Sequence, residues 1–329
     1  MSSADLYGAI DLGGTKVRAI VASLDGDVKS EDIRLSRASE GLDVTLDTMV
    51  ATLVAACTAA GVTQGDLKGL GIASPGAVDA YNGVVPEAPQ LTGWRDVPLT
   101  RIMEERLGVP VWLENDANAA ALGENRYGAG RGTKHMIYLT VSTGVGGGII
   151  IDGALYRGTR GAAGELGHVI IDVDGPPCGC GGHGCLESFA SGTAIARRAR
   201  ELVNAGEAPA LKALSEREGE LTAEVVSKAA YDGDEVSRRI FHDVGTYLGV
   251  ALASFVNIFN PEAILVGGGV ARAADLFIKH SRTVMEERAM RSPLQDVRLG
   301  IAELGDRIGS LGMIARVGDA IAERERGTG

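Results

Sequence analysis

A chain of 329 residues, 45% of them apolar, has material for two ordinary domains with sizeable cores. A formal charge of −11 argues against nucleic acid or an anionic membrane surface as partner, and 4% aromatic residues leave little to stack on bases. A phosphorylated substrate is not excluded, because glycine loops and a metal can hold phosphate locally.

Met1-Ser2-Ser3-Ala4-Asp5 has neither a basic n-region nor an apolar h-region. No segment reaches about 18 uninterrupted apolar residues. The chain reads as cytoplasmic, a compartment that keeps cysteines reduced. Leu6 to Leu12, Gly13-Gly14-Thr15-Lys16 and Val17 to Ala22 read as strand, tight turn and strand. A polar stretch follows, then an amphipathic helix near Leu42 to Ala60 whose apolar spacing includes Val44, Met49, Leu53, Val54 and Cys57. Leu67 to Ala73 is a short strand closed by Ser74-Pro75-Gly76. Val111 to Glu114 is another, ending in Asn115-Asp116, and an alanine-rich helix runs from Ala117 to Tyr127.

The opening pattern then recurs. Met136 to Val141 and Gly148 to Ile151 flank a second glycine turn, Ser142-Thr143-Gly144-Val145-Gly146-Gly147. A glycine hairpin in each half suggests a weak internal duplication. Helices are expected over Thr193 to Ala205, Thr222 to Tyr231 and Val236 to Phe259, the last stopped by Pro261. Ala263 to Val266 is a strand closed by Gly267-Gly268-Gly269, and a helix from about Gly309 to Glu325 ends the pattern. Strands alternating with helices give an α/β architecture.

Several segments carry candidate chemistry. Gly13-Gly14-Thr15-Lys16 and Thr143-Gly144-Val145-Gly146 are candidate phosphate cradles, since glycine lets backbone N–H groups approach an anion. Neither is a Walker loop. The one G-x-G-x-x-G match, Gly179 to Gly184, follows no strand. Asp11, at a strand end beside the first cradle, suits Mg²⁺ directly or through water, or else caps the turn. Asn115-Asp116 is either a helix cap or a general base with an amide beside it, at the sheet edge where α/β folds place their sites. Gly267-Gly268-Gly269 leaves room for a flat ring such as adenine, or is a plain turn. His135, His242 and His280 carry no motif.

Three of the four cysteines fall in Cys178-Gly179-Cys180-Gly181-Gly182-His183-Gly184-Cys185, with His168 ten positions upstream. Thiolate and imidazole are what tetrahedral zinc takes, and a closed four-ligand site is structural. The favoured ligands are His168, Cys178, Cys180 and Cys185, with His183 a rival for the fourth position. Free thiols and a disulfide framework are the competing readings. Glu165 and Glu187 bracket the cluster, an arrangement suited to gripping a polyhydroxylated ligand.

Together these motifs resemble the ROK group of repressors, uncharacterised frames and sugar kinases. Asp11-Leu12-Gly13-Gly14-Thr15-Lys16 resembles its first phosphate motif, and Glu114-Asn115-Asp116-Ala117-Asn118-Ala119-Ala120 its catalytic segment. Glu165-x-Gly167-His168, with Cys178-x-Cys180-Gly181-x-x-Gly184-Cys185-x-Glu187, resembles its zinc and sugar signature. The resemblance runs from about residue 6 to 315. It implies an actin/hexokinase-like (ribonuclease H-like) fold of two α/β lobes with a cleft and an inserted zinc loop, 168–187. The lobes would be 1–117, completed by the C-terminal helix at about 309–329, and 118–308. It implies ATP with Mg²⁺, structural Zn²⁺, and Asp116 as the base on a sugar 6-hydroxyl. Asn115, Asp116, Glu165, His168, Glu187 and Gly76 would contact the sugar. Asp11, Gly13, Gly14, Thr15, Lys16, Thr143, Gly144, Gly146, Gly267, Gly268 and Gly269 would serve ATP and its phosphates.

The run Glu114 to Glu124, and Gly71-Ile72-Ala73-Ser74-Pro75-Gly76-Ala77-Val78-Asp79, resemble bacterial glucokinases, which implies glucose as substrate. Fructose, mannose, N-acetylglucosamine and N-acetylmannosamine stay open, as does polyphosphate in place of ATP. A repressor of the group would carry a helix-turn-helix before the first phosphate motif, and only ten residues precede Asp11. An actin-like ATPase would not need Glu165, Glu187 and the zinc loop. A catalytically dead sugar binder would have been free to lose Asp11 or Asp116. The fold class suggests a closed homo-oligomer, a dimer or a dimer of dimers.

Overall fold

The computed structural model describes residues 5–327. Residues 1–4 and 328–329 lie outside the described residues, and with them most of the N-terminal segment read above and the last positions of the C-terminal helix expected to complete the first lobe. The described residues divide into two compact units. One takes those of Met1–Gly132, Gly148–Gly164 and Glu303–Gly329; the other takes Thr133–Gly147 and Glu165–Ala302.

The first unit opens with β1 (Tyr7–Leu12), β2 (Lys16–Ala22) and β3 (Val28–Leu35), followed by α1 (Leu42–Ala59) and β4 (Leu70–Ser74). A small antiparallel sheet comes next, from β5 (Ala77–Asp79), β6 (Val84–Glu87) and β7 (Arg95–Val97). Then come α2 (Leu99–Leu107), β8 (Val111–Asn115) and α3 (Asp116–Tyr127). The main sheet has the order β3-β2-β1-β4-β8. Its first three strands pair antiparallel, and β4 and β8 are parallel to β1.

Alternation along β1 decides what each face meets. Ile10 and Leu12 join Leu46, Met49 and Leu53 of α1 in one core. Tyr7 and Ala9 point the other way, into a second core with Met313, Ile314 and Val317. By the same period Asp11 lies on this second face.

The chain continues through β9 (Met136–Val141), β10 (Val145–Ile151) and β11 (Ala154–Leu155). Helices α4 (Glu187–Ala190), α5 (Gly192–Asn204), α6 (Pro209–Glu218), α7 (Ala223–Tyr231) and α8 (Glu235–Phe259) follow, then β12 (Ala263–Gly267), α9 (Ile278–Arg288), α10 (Arg291–Leu294), β13 (Arg298–Ile301) and α11 (Ile308–Gly327). The second sheet has the order β11-β10-β9-β12-β13, with β12 parallel to β9 and β13. The duplication suggested by two glycine hairpins thus has a counterpart: each sheet places a hairpin and an outer strand on one side and two parallel strands on the other.

Some elements differ from the sequence reading. The polar stretch after the first hairpin is β3, an edge strand whose Lys29, Glu31, Asp32 and Arg34 hid it; charged edges discourage pairing with other chains. On α1, Val54 is exposed, and Thr45, Thr48 and Thr52 are buried instead. Their hydroxyls donate to Gly41, Val44 and Thr48 carbonyls at 3.0, 2.8 and 2.7 Å, which removes the cost of burying them. Among the described residues α1 is the one helix long and apolar enough by composition to cross a membrane, and its inner face is part of the first unit's core. The sequence boundary near 117 also differs from the division seen here: α3 stays with the first unit, where Gly312 of α11 lies against the Ala119 backbone so closely that no Cβ would fit.

Candidate active site

In the first unit the candidate chemistry gathers where β8 hands over to α3. Asn115 is extended (φ −66°, ψ 147°) and caps the helix. Its Oδ1 accepts the N–H groups of Ala117 at 2.9 Å and Asn118 at 3.2 Å. Its Nδ2 donates to the Gly76 carbonyl at 3.1 Å. The cap therefore belongs to Asn115. Asp116 is the first helical residue, and its Oδ1 accepts from the Ala117 N–H at 2.8 Å. Gly76 is required to be glycine: its φ is +82°, and a Cβ would sit 2.5 Å from the Glu87 carbonyl oxygen.

Asp11 feels the same neighbourhood. Burial, and after it the charge of Asp116, push its carboxyl up to about 7, with Arg18 pulling partly the other way. It faces the first turn of α11, where a Cβ on Gly309 would lie 2.6 Å from Asp11 Oδ2. A half-buried acid raised by a like charge is one that a divalent cation would relieve, so the residues fit Mg²⁺. The adjoining turn is tied by the Gly13 N–H on the Lys16 carbonyl at 2.8 Å, and it exposes Gly14, Thr15 and Lys16. Gly13 and Gly14 are not left-handed. What glycine gives here is close access to the backbone.

In the second unit, His168, Cys178, Cys180 and Cys185 place their ligand atoms within 4.8 Å of one another. His168 Nδ1 and Cys178 Sγ are 3.5 Å apart, and Cys180 and Cys185 Sγ 3.8 Å apart. A tetrahedron with zinc–sulfur bonds of about 2.3 Å and a zinc–nitrogen bond of about 2.05 Å has edges of about 3.5 and 3.8 Å, so the four residues fit zinc. His183 does not belong to this cluster among the described residues; it sits in a backbone bridge to Pro177. The knuckle is closed by the Cys178 N–H on the Gly182 carbonyl at 2.8 Å and the Gly181 N–H on the Cys178 carbonyl at 3.0 Å. His168 turns its other nitrogen toward Glu165, with Nε2 3.9 Å from Oε2.

Glu187 follows the knuckle directly. Its Oε2 accepts the Val145 N–H at 2.9 Å, and its Oε1 lies 3.6 Å from Cys178 Sγ. One carboxylate thus touches both the cysteine loop and the second glycine turn. That turn is held from the other side too. Gly192 N–H donates to the Ser142 carbonyl at 2.7 Å, and the Thr193 hydroxyl to the Thr143 carbonyl at 2.8 Å. A cavity of about 610 Å³ opens beside it, lined by Ser142, Thr143, Thr193, Tyr231 and Gly269 among others. It joins the second glycine turn to the triple glycine, as a nucleotide would require. Gly268 is left-handed (φ +90°), and a side chain there would collide with the Val141 carbonyl. The α5 and α7 residues lining this cavity were not legible as such, because no local motif marks them.

The chain belongs to the ROK family, whose family model matches residues 7–320. It is 37% identical over 308 residues to a glucokinase of Halalkalibacterium halodurans, covering 93% of each chain. It is 35% identical over 308 residues to a putative xylose repressor of a Caldicellulosiruptor species, covering 94% of this chain and 77% of that one. The crystal structure of a ROK family glucokinase from Streptomyces griseus, in complex with glucose and AMPPNP, superposes with a TM-score of 0.80 at 35% identity, covering 95% of this chain and 98% of that one. The mixed α/β fold is that of ROK hexokinases.

Proposed function

We propose that this protein transfers the γ-phosphoryl group of ATP to the 6-hydroxyl of glucose, with Asp116 as the general base. The observation that carries this is the electrostatic coupling of Asp116 with Asp11 at the ends of β8 and β1, the two strands that flank β4, each beside an element that can hold part of the reaction. Asp116 accepts the hydroxyl proton, a role typically worth ~10²–10⁴-fold in rate. Asp11 holds Mg²⁺, which supplies charge neutralisation to the phosphates. The glycine turns at Gly13-Gly14-Thr15-Lys16 and Thr143-Gly144-Val145-Gly146 offer N–H groups to phosphate oxygens, and Gly267-Gly268-Gly269 borders the place for adenine. Asn115, Gly76, Glu165, His168 and Glu187 are the proposed sugar-binding residues. A site built from such donors and acceptors rejects analogues lacking the matching hydroxyl. Zinc on His168, Cys178, Cys180 and Cys185 holds His168 and Glu187 in place. Similarity to glucokinases that the chain spans almost end to end supports the reading.

The repressor relatives support a second reading, a sugar-responsive regulator, which the acidic charge of −11 disfavours as a direct DNA ligand. The deciding experiment is ADP release with ATP and Mg²⁺ over glucose, fructose, mannose, N-acetylglucosamine and N-acetylmannosamine, with Asp116→Asn beside the wild type. We expect turnover strongest on glucose and at least ~10²-fold lower in the variant. Turnover strongest on another sugar replaces the substrate. Sugar binding without turnover gives the regulator reading.

A further inference from the structure

The residue before the Asn115-Asp116 pair has no part in the reading above. Glu114 is fully buried, and its carboxylate is engaged on both oxygens. Oε2 accepts Arg157 Nε at 2.7 Å. Oε1 accepts the Asn118 side-chain amide at 3.1 Å and the Asn115 backbone N–H at 3.2 Å. Those two donors flank Asp116 on either side. One carboxylate therefore grips the end of β8 and the first turn of α3, and Arg157 grips that carboxylate.

Neutralising Glu114 does not by itself call for Arg157. Arg316 of α11 also approaches Oε2, with its Nε at 4.0 Å, and the interior holds two guanidinium groups against one acid. Arg316 Nε and Nη1 have no hydrogen-bond partner, so the second arginine is a poorly satisfied neighbour. Taking such ions out of water costs several kcal/mol each, and apolar side chains of the same volume would pack more cheaply. What Arg157 adds is a directed bond. Its own backbone is fixed as well: its carbonyl accepts the Ala163 N–H at 3.0 Å, and the Tyr81 hydroxyl donates to the next carbonyl, Gly158, at 3.1 Å.

We infer that Arg157 is a positioning residue for the phosphoryl-transfer reaction: through Glu114 it fixes the helix turn from which Asp116 reaches the sugar hydroxyl. This rests on the function proposed above. A base displaced by about 1 Å costs roughly 10²-fold in rate while the substrates still bind. Loss of Arg157 should therefore appear in kcat and leave the KM for ATP nearly alone.

The test is steady-state kinetics of the full chain, wild type against Arg157→Ala and Glu114→Gln, with melting curves for each. We expect kcat to fall roughly 10–100-fold in Arg157→Ala with the KM for ATP within about threefold. Guanidinium ion added at millimolar concentration should restore part of that kcat, because the arginine side chain is 17% exposed and its vacated place can be reached. Glu114→Gln keeps the size of the side chain and should show the same pattern. The double variant should be no slower than the worse single one, as for two members of one chain of contacts. An active wild type with Arg157→Ala within twofold of it overturns the inference. So does a loss that appears in KM or in melting temperature alone and does not respond to guanidinium. A wild type that turns over no sugar overturns the proposed function first, and this inference with it.

Discussion

Asp11 carries a cost that the fold accepts for the sake of its position. Its carboxyl is raised from 3.8 to about 7, by burial first and by Asp116 second. Between about pH 4 and 7 the folded chain keeps a proton that the unfolded chain has given up. Stability is thus greatest below that window, falls as pH rises through it, and is fully reduced above about pH 7. Asp11→Asn should melt with the wild type at pH 4 and melt higher at pH 8 without divalent cations, by the equivalent of about 1–3 kcal/mol. Equal melting at pH 8 would mean that the carboxylate is not strained. The sequence showed Asp11 and Asp116 as candidates because each ends a strand. It did not show that they interact, since 105 positions separate them and only the parallel pairing of β1, β4 and β8 brings their strand ends near. Nor did it give Glu114 a role, because its partner Arg157 lies 43 residues away. Of the two residues at Asn115-Asp116, geometry gives the cap to Asn115.

At the scale of elements the loop 168–187 is the clearest case of local sequence writing local structure. Cysteine and histidine at those spacings specify a ligand set without help from distant residues, so the loop was readable. Its first part gains little from apolar burial, with Ile170 and Val173 60% and 82% exposed, and only at its end does Leu186 enter the core. Backbone bonds hold the segment in places, among them Ile171 N–H to the Gly184 carbonyl at 2.9 Å, and the four candidate zinc ligands meet within it. Removing zinc should therefore release the loop and, with it, Glu187. Metal analysis should find one zinc per chain, and hydrogen exchange over 178–187 should accelerate strongly after chelation. Unchanged exchange in metal-free protein would show that the loop stands without its ion. Helix α1 illustrates the opposite case. Periodicity located it, but the choice of Thr45, Thr48 and Thr52 over Val54 for the inner face is made by tertiary packing, with each hydroxyl satisfied inside its own helix. The strands β5, β6 and β7, only three or four residues long, left no periodic trace to read.

For the molecule as a whole, two sheets with one strand order make the repeated glycine hairpin a statement about architecture. The units are nevertheless not consecutive in the chain, since the first is completed by residues after 302. Helix α11 brings Leu311, Met313, Ile314 and Val317 into a core with Tyr7, Ala9, Ile20 and Ala22. That arrangement has a consequence during synthesis. When the ribosome has made β1 to α3, the second face of the first sheet has Ala119 of α3 but still lacks the four α11 side chains that complete its cover. At ~5–20 residues per second the missing helix arrives roughly 10–40 s later. Over that interval the nascent chain shows an apolar sheet face to its surroundings, and chaperones that bind such faces should hold it. Chains stalled on the ribosome before residue 303 should be cut readily by protease within the first unit, and chains extended past residue 327 and clear of the exit tunnel should resist. Protection already present in the shorter chains would mean that the first sheet closes without its last helix.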